Sequence, residues 1–333
     1  MFAGLLLNRI VEQAAPVVSF YPKQCLRARL NTNACDACLA LCKKQALTLN
    51  GRKIIFSAEN CTDCMACVSG CPNDAFASGF DLSVLLDAVR SEDGSTPVII
   101  SCSKAPAHGN QVNIPCVGLL SEPVLAALHC TATREFYLDL HRCADCRNGH
   151  VLDLLHERIR GVIAKRGKVA GLKIRYATDR DFQPGSSSLE RRGFLRNASR
   201  SLKELGWETS LAFVPQQVRE DRGAEKKEVQ KGAPATNRLL RQALAQPGVQ
   251  EKDLLYSYFY TVRADSRCDL CPLCTGICPT GALKRRAEGS ENVLTFTGSA
   301  CSGCGLCAAF CRKRALTVRP GIASDPDNPL IIA

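Results

Sequence analysis

The sequence predicts a multidomain protein of mixed α+β and α/β class, with two small cysteine-rich modules flanking a parallel-sheet α/β domain inserted between them. Three observations predict it. Toward each end of the 333-residue chain, two runs of closely spaced cysteines enclose a β-hairpin signal. Between the ends, short apolar runs alternate with amphipathic helical segments. Four of the five cysteines of that middle stretch fall at or just past the ends of the apolar runs. The expected divisions are an N-terminal helix over 1–17, a first module over 18–79, the α/β domain over 80–180, a helical linker region over 181–256, and a second module with a C-terminal tail over 257–333.

Residues 2–7 are mostly apolar and lead into Asn8, Arg9 and Glu12, without the basic start of an export signal. A helix packed on the body or on a partner is expected, with a peripheral membrane anchor as the alternative. In the first module Cys61, Cys64, Cys67 and Cys71, closed by Pro72, follow C-x2-C-x2-C-x3-C. Cys25, Cys35, Cys38 and Cys42 repeat it with the first gap stretched to nine residues. Asn50-Gly51, between apolar stretches at 46–49 and 53–56, is a hairpin signal that separates the two runs.

In the α/β domain, Leu82, Leu85, Leu86 and Val89 share one face of a helix over 81–90. Strands are expected at 97–101, 112–116, 135–140 and 172–178. A helix over 121–128 starts at a capping Ser121, and Asn148 caps a long helix running to 164. Such alternation means a parallel sheet with helices on its faces. In the linker region Leu195, Ala198, Leu202 and Leu205, and again Leu239, Leu240, Ala243 and Leu244, follow helical spacing, with mixed charge over 219–231 between them. Arg191-Arg192-Gly193-Phe194-Leu195 has the look of a twin-arginine signal but is internal and runs into polar residues, which excludes export by that route. In the second module Cys268, Cys271, Cys274 and Cys278 with Pro279, then Cys301, Cys304, Cys307 and Cys311, repeat the run around a hairpin at 282–286 and 292–296. The two modules form an internal repeat.

Three cysteines two residues apart wrap one corner of an iron-sulfur cubane, and the fourth serves a neighbouring cluster. Zinc takes its ligands as two separated pairs. Crossover of each fourth cysteine groups Cys25, Cys35, Cys38 and Cys71; Cys61, Cys64, Cys67 and Cys42; Cys268, Cys271, Cys274 and Cys311; and Cys301, Cys304, Cys307 and Cys278. Stretches 18–78 and 257–319 resemble the bacterial two-cluster ferredoxins, so both modules are expected to be ferredoxin-like and the chain to carry four 4Fe-4S clusters. Lys43 and Arg312 stand where such runs usually have proline, and a cation there favours the reduced cluster, raising the potentials of the clusters served by Cys42 and Cys311.

Cys102, Cys116, Cys143 and Cys146 fall at or just past expected strand ends, the edge where open parallel sheets bind ligands, and form a candidate fifth site. Cys130 ends a helix as a small buried hydrophobe. His141, two residues before Cys143, is a candidate ligand or tuner against the plainer reading of a surface or core histidine. Ile114-Pro115-Cys116-Val117-Gly118, Glu122-Pro123-Val124-Leu125 and Cys143-Ala144-Asp145-Cys146 ahead of Gly149-His150 make this region similar to the delta subunit family of methyl-viologen-reducing hydrogenases. The resemblance implies a 2Fe-2S cluster and redox partners of hydrogenase, heterodisulfide-reductase-like or flavin-containing type. A structural zinc or a metal-free thiol group is the alternative for these four cysteines.

Twenty-one cysteines, an odd number at metal-type spacing, argue against a disulfide framework and for a reducing compartment, expected to be the cytoplasm. No stretch approaches the roughly 18 to 20 apolar residues of a membrane span. The formal charge of +11 falls to about +3 once four clusters at about −2 each are counted, so the basic surplus balances clusters first and could secondly form a docking face for an acidic partner. No aromatic and basic stacking pattern supports nucleic-acid binding. Nor is there a G-x-G-x-x-G after a strand, a Walker loop or an H-E-x-x-H. The expected function is an electron-transfer subunit of a larger oxidoreductase. The alternatives are an enzyme whose α/β cluster is the reaction site, and a free-standing polyferredoxin carrier.

Overall fold

A computed structural model describes residues 18–90, 97–103, 105, 111–177, 231–289, 291–322 and 325–333. The expected N-terminal helix, the periodic leucines at 195–205, the twin-arginine stretch and the charged segment at 219–230 lie outside the described residues.

The first cysteine-rich segment runs β1 (Val18–Phe20), α1 (Leu26–Arg29), α2 (Ala37–Leu41), β2 (Leu47–Asn50), β3 (Lys53–Phe56), α3 (Ala66–Gly70) and β4 (Phe76–Ser78). β1 and β4 pair antiparallel with Phe20 opposite Phe76, their rings stacked at 4.6 Å. The β2 and β3 hairpin closes at Asn50 opposite Lys53, where Gly51 takes the positive φ of 57° that a two-residue turn requires. α2 packs on α3.

The middle segment runs α4 (Ser83–Arg90), β5 (Ile99–Cys102), β6 (Gln111–Ile114), α5 (Glu122–Thr131), β7 (Phe136–Leu138), α6 (Val151–Arg166) and β8 (Ile174–Tyr176). Its four strands form one sheet in the order β6-β5-β7-β8, and every pairing is parallel, as the alternation predicts. Ile100, Ile114, Phe136 and Leu138 are buried in it. Leu85, Leu86 and Val89 of α4 are buried as the spacing requires.

Two expected caps differ. The Ser121 hydroxyl, buried before α5, makes no hydrogen bond; the helix opens instead on Glu122 and Pro123, a first turn in which proline loses nothing by lacking an N–H. Asn148 lies ahead of α6; its Nδ2 donates to the Thr62 carbonyl at 2.9 Å, and its Oδ1 accepts no N–H from the helix.

α7 (Ala235–Leu244) and α8 (Lys252–Tyr256) both pack on α5, which explains why α5 is buried almost all round. Leu239, Leu240 and Ala243 turn inward as predicted. The last segment runs β9 (Tyr260–Ala264), α9 (Leu273–Ile277), β10 (Leu283–Glu288), β11 (Glu291–Phe296), α10 (Leu306–Phe310), β12 (Leu316–Pro320) and β13 (Leu330–Ile331). It repeats the first segment: β9 pairs antiparallel with β12, β10 with β11 as a hairpin, and α9 packs on α10, while β13 adds a strand beside β11. One apolar core runs from the first segment through the parallel sheet, and a second fills the last segment. No described helix is long and apolar enough to cross a membrane.

Candidate metal centres

The stretched first run closes through side-chain chemistry. Arg27 of α1 donates from Nε to the Cys35 carbonyl and from Nη2 to that of Ala34 at 3.0 Å, folding the nine-residue gap back on itself. Asn73 Nδ2 donates to the Gln24 carbonyl at 2.6 Å, tying the approach to Cys25 to the loop after Cys71. Burial pushes the Cys38 thiol up to about 12, and the negative charge of Cys71, Cys35 and Cys25 adds to it, so the four crossover thiols are electrostatic neighbours.

The second group shares a cavity. Cys42, Cys61, Cys64 and Cys67 all line it, with Val18, Phe56 and Met65 as its apolar wall. Burial, then the charges of Cys64, Cys61, Cys42 and Cys38, raise the Cys67 thiol, so this group also adjoins the first.

The last segment repeats both arrangements. One cavity is lined by Cys278, Cys301, Cys304 and Cys307 with Val262, Phe296 and Val318. Burial lifts Cys307 to about 12, helped by Cys301, Cys304 and Cys278. Cys274 is pushed to about 11 by burial, then by Cys271 and Cys268. Cys311 accepts from Ala315 N at 3.4 Å, as Cys71 does from Ala75 N at 3.2 Å, and it is an electrostatic neighbour of Arg267, the residue before Cys268.

The backbone repeats too. The third residue after each run's last cysteine is left-handed: Gln45 (φ 53°), Asp74 (φ 49°), Gly281 (φ 73°) and Arg314 (φ 50°). Asp63 and Met65 are left-handed where the matching loop has Gly303 and Gly305. A side chain in this region costs about 1–2 kcal/mol, so the Asp63 and Met65 loop holds against local preference a shape that Gly303 and Gly305 adopt freely. At Gly303 a Cβ would meet the Tyr260 ring at 2.3 Å, so that ring lies directly on the loop between Cys301 and Cys304.

The four cysteines of the middle segment follow the carboxyl ends of three adjacent strands, Cys102 ending β5, Cys116 just past β6, and Cys143 and Cys146 in the turn after β7. Burial pushes the Cys143 thiol to about 12, and the charges of Cys102, Cys116, Cys146 and Asp139 add to it. Cys116 reaches about 11 through burial, with Cys64 as well as Cys102 and Cys146 among its neighbours. This group therefore stands beside the second one. Gly118 packs so closely there that a Cβ would lie 2.1 Å from the Cys64 carbonyl oxygen. The buried Arg158 guanidinium bridges the two, donating to the Gly118 and Leu120 carbonyls at 3.0 and 3.1 Å and to Ser69 Oγ at 2.8 Å. Burial lowers its pKa to about 10, which leaves it charged at neutral pH.

Cys130 is buried at the end of α5, away from the four. The His141 ring is 3.0 Å from Asp139 Oδ1. Buried Asp139 also accepts from Ser101 Oγ at 3.2 Å, and neither Ser101 nor Asp139 is singled out by the sequence. Among the described residues no three His, Cys, Asp or Glu side chains stand close enough together to hold one metal ion. The thiols are grouped by shared cavities and mutual charge instead, and both cavities carry a buried hydroxyl that completes no regular hydrogen bond, Thr62 Oγ1 and Ser302 Oγ, the latter leaning on the Cys304 thiol. Apolar walls, thiol donors in fours and orphaned donors at the rim fit a sulfur-rich group. No protein-family model, curated protein or solved structure matches the chain.

Proposed function

We propose that the chain is an electron-transfer iron-sulfur subunit of a larger oxidoreductase of a reducing compartment. It would hold 4Fe-4S clusters in two ferredoxin-like modules, and a further cluster, of 2Fe-2S or other type, through Cys102, Cys116, Cys143 and Cys146. Such clusters supply one-electron chemistry when bound. The observation that carries the reading is the pair of cavities, each lined by three thiols of one run and the crossed thiol of its partner run. That pairing follows the rule for two-cluster runs and serves no evident packing purpose.

The chain's own part is to hold thiolates, keep water away from them and fix which groups adjoin. Adjacency runs in single file. The middle-segment group meets the Cys42 group through Cys116 and Cys64, and that group meets the Cys25 group through Cys67 and Cys38. A cleft lined by Gln24, Asn73 and Asp74 on one side and by Pro279 and Thr280 on the other then joins the loops of Cys25 and Cys71 to that of Cys278. Hydrogenase, heterodisulfide-reductase-like or flavin-containing subunits are the partners proposed at the ends of this file.

Iron and acid-labile sulfide counts on anaerobically prepared protein, with EPR of the reduced form, test the reading. About sixteen irons per chain are expected from four cubanes, and two to four more if the middle group is filled. Zinc in place of iron would overturn it.

A further inference from the structure

Two buried hydroxyls occupy the same place in the internal repeat. Thr62 follows Cys61 and Ser302 follows Cys301, each the residue after the first cysteine of its module's second run. Both Oγ atoms are buried and neither completes a regular hydrogen bond to a protein atom; the Ser302 hydroxyl leans on the Cys304 thiol and partly offsets the rise that burial imposes there. A buried hydroxyl left unpaired costs about 1–3 kcal/mol, so one orphan would be an accident and two at equivalent positions call for a shared acceptor. The acceptors at hand are sulfurs. Thr62 lines the cavity of Cys42, Cys61, Cys64 and Cys67, and Ser302 lines that of Cys278, Cys301, Cys304 and Cys307.

The main chain beside each hydroxyl is pinned from outside its module by an asparagine. Asn148 Nδ2 donates to the Thr62 carbonyl at 2.9 Å, and Asn237 Nδ2 donates to the Cys301 carbonyl at 2.8 Å and the Ser299 carbonyl at 3.0 Å. A pinned backbone leaves the hydroxyl little choice but the cavity. The two first runs lack the feature: the matching residues are Leu26, buried and apolar, and Asp269, whose carboxylate accepts from Cys271 N at 3.3 Å.

Resting on the cluster reading above, we infer that Thr62 and Ser302 each donate a hydrogen bond to sulfur of the cluster held in their cavity, making each of those two clusters easier to reduce than it would be without the hydroxyl. The direction follows from charge. Reduction adds an electron whose density spreads onto sulfur, and an O–H aimed at that sulfur stabilises the more negative state. Shielding from water makes the bond worth more than at a surface. Both are positioning residues that act on potential rather than on ligation.

EPR-monitored potentiometric titration of the full-length holoprotein tests this with Thr62→Val and Ser302→Ala, and with the hydroxyl-keeping Thr62→Ser and Ser302→Thr. Each hydroxyl-free variant is expected to shift the reduction equilibrium of its own cluster about tenfold toward the oxidised form, about 59 mV for one electron, with the other midpoints unmoved and the hydroxyl-keeping variant restoring the wild-type value. Unmoved midpoints in both hydroxyl-free variants at full iron content would overturn the inference. So would loss of iron from both, since the hydroxyls would then be holding the loops; Thr62→Ala guards against a fault of valine's shape. A wild-type chain without iron would sink the cluster reading itself, which keeps the two failures distinguishable.

Discussion

A single cation beside a thiolate group changes what that group prefers to hold. Lys43 lines the cavity of Cys42, whereas Arg312 is exposed beside Cys311. At about 5 Å in water a unit charge is worth up to about 1 kcal/mol, and less where salt screens it. Lys43→Pro should therefore lower the midpoint of the cluster proposed at Cys42 by a fewfold change in its reduction equilibrium, and Arg312→Pro should move the one proposed at Cys311 in the same direction by less. Redox titration of both variants checks the sign and the ranking. Single residues are also where the sequence is hardest to read. Arg158 lies on the stripe of α6 that buries Val151, Leu155, Ile159 and Val162, so a charged residue in an apolar face was the available signal. Its partners, the Gly118 and Leu120 carbonyls and Ser69, lie far off in sequence and leave no local trace.

Helices carry a titratable clamp of their own. His129 of α5 is buried, accepts from Lys173 N at 3.3 Å and lies 3.4 Å from Glu251 just before α8, while Arg166 at the end of α6 makes two hydrogen bonds to the same carboxylate. That carboxylate is held down to about 2, chiefly by Arg166. Burial, then the charge of Arg166, lowers the His129 pKa below its usual 6.5 and outweighs the opposing pull of Glu251. The unfolded chain therefore binds a proton that the folded one refuses. The stability that the neutral ring contributes is complete above pH 6.5 and is lost as pH falls toward the lowered folded value. Chemical denaturation between pH 5.5 and 7.5 should show stability rising with pH, and His129→Gln should flatten that slope. At this scale the sequence was generous. Apolar periodicity marked the strands and α4, and Asn50-Gly51 marked the hairpin. The caps failed for different reasons: Ser121 stands at the start of α5 but its buried hydroxyl meets no partner, and Asn148 is drawn to the Thr62 carbonyl.

For the whole molecule, what matters is how distant segments are held in register. Cysteine spacing pointed to the two sets of four thiols that line shared cavities, because thiols at short fixed intervals stay close in space. It could not announce α7 as the piece between modules, since helical periodicity tells which face is apolar but not what covers it. At one end of α7 the Ala235 N–H donates to Asp74 at 2.7 Å, and two residues on, in the same turn, Asn237 holds the Ser299 and Cys301 carbonyls. Asn237→Leu removes the donor from two buried carbonyls and should cost about 1–3 kcal/mol. Denaturation of the holoprotein should register that loss, and a chelator should strip iron from the Cys301 group sooner than from the N-terminal groups. The Asp74 contact spans 161 residues of sequence, so a nascent chain can make it only long after the first segment has been synthesised. By the time the ribosome has delivered α7, every cysteine of the first segment is already outside. The early half can thus fold and, on the cluster reading proposed above, be loaded first, and the late half then docks against a finished template, which gives maturation of this protein a direction.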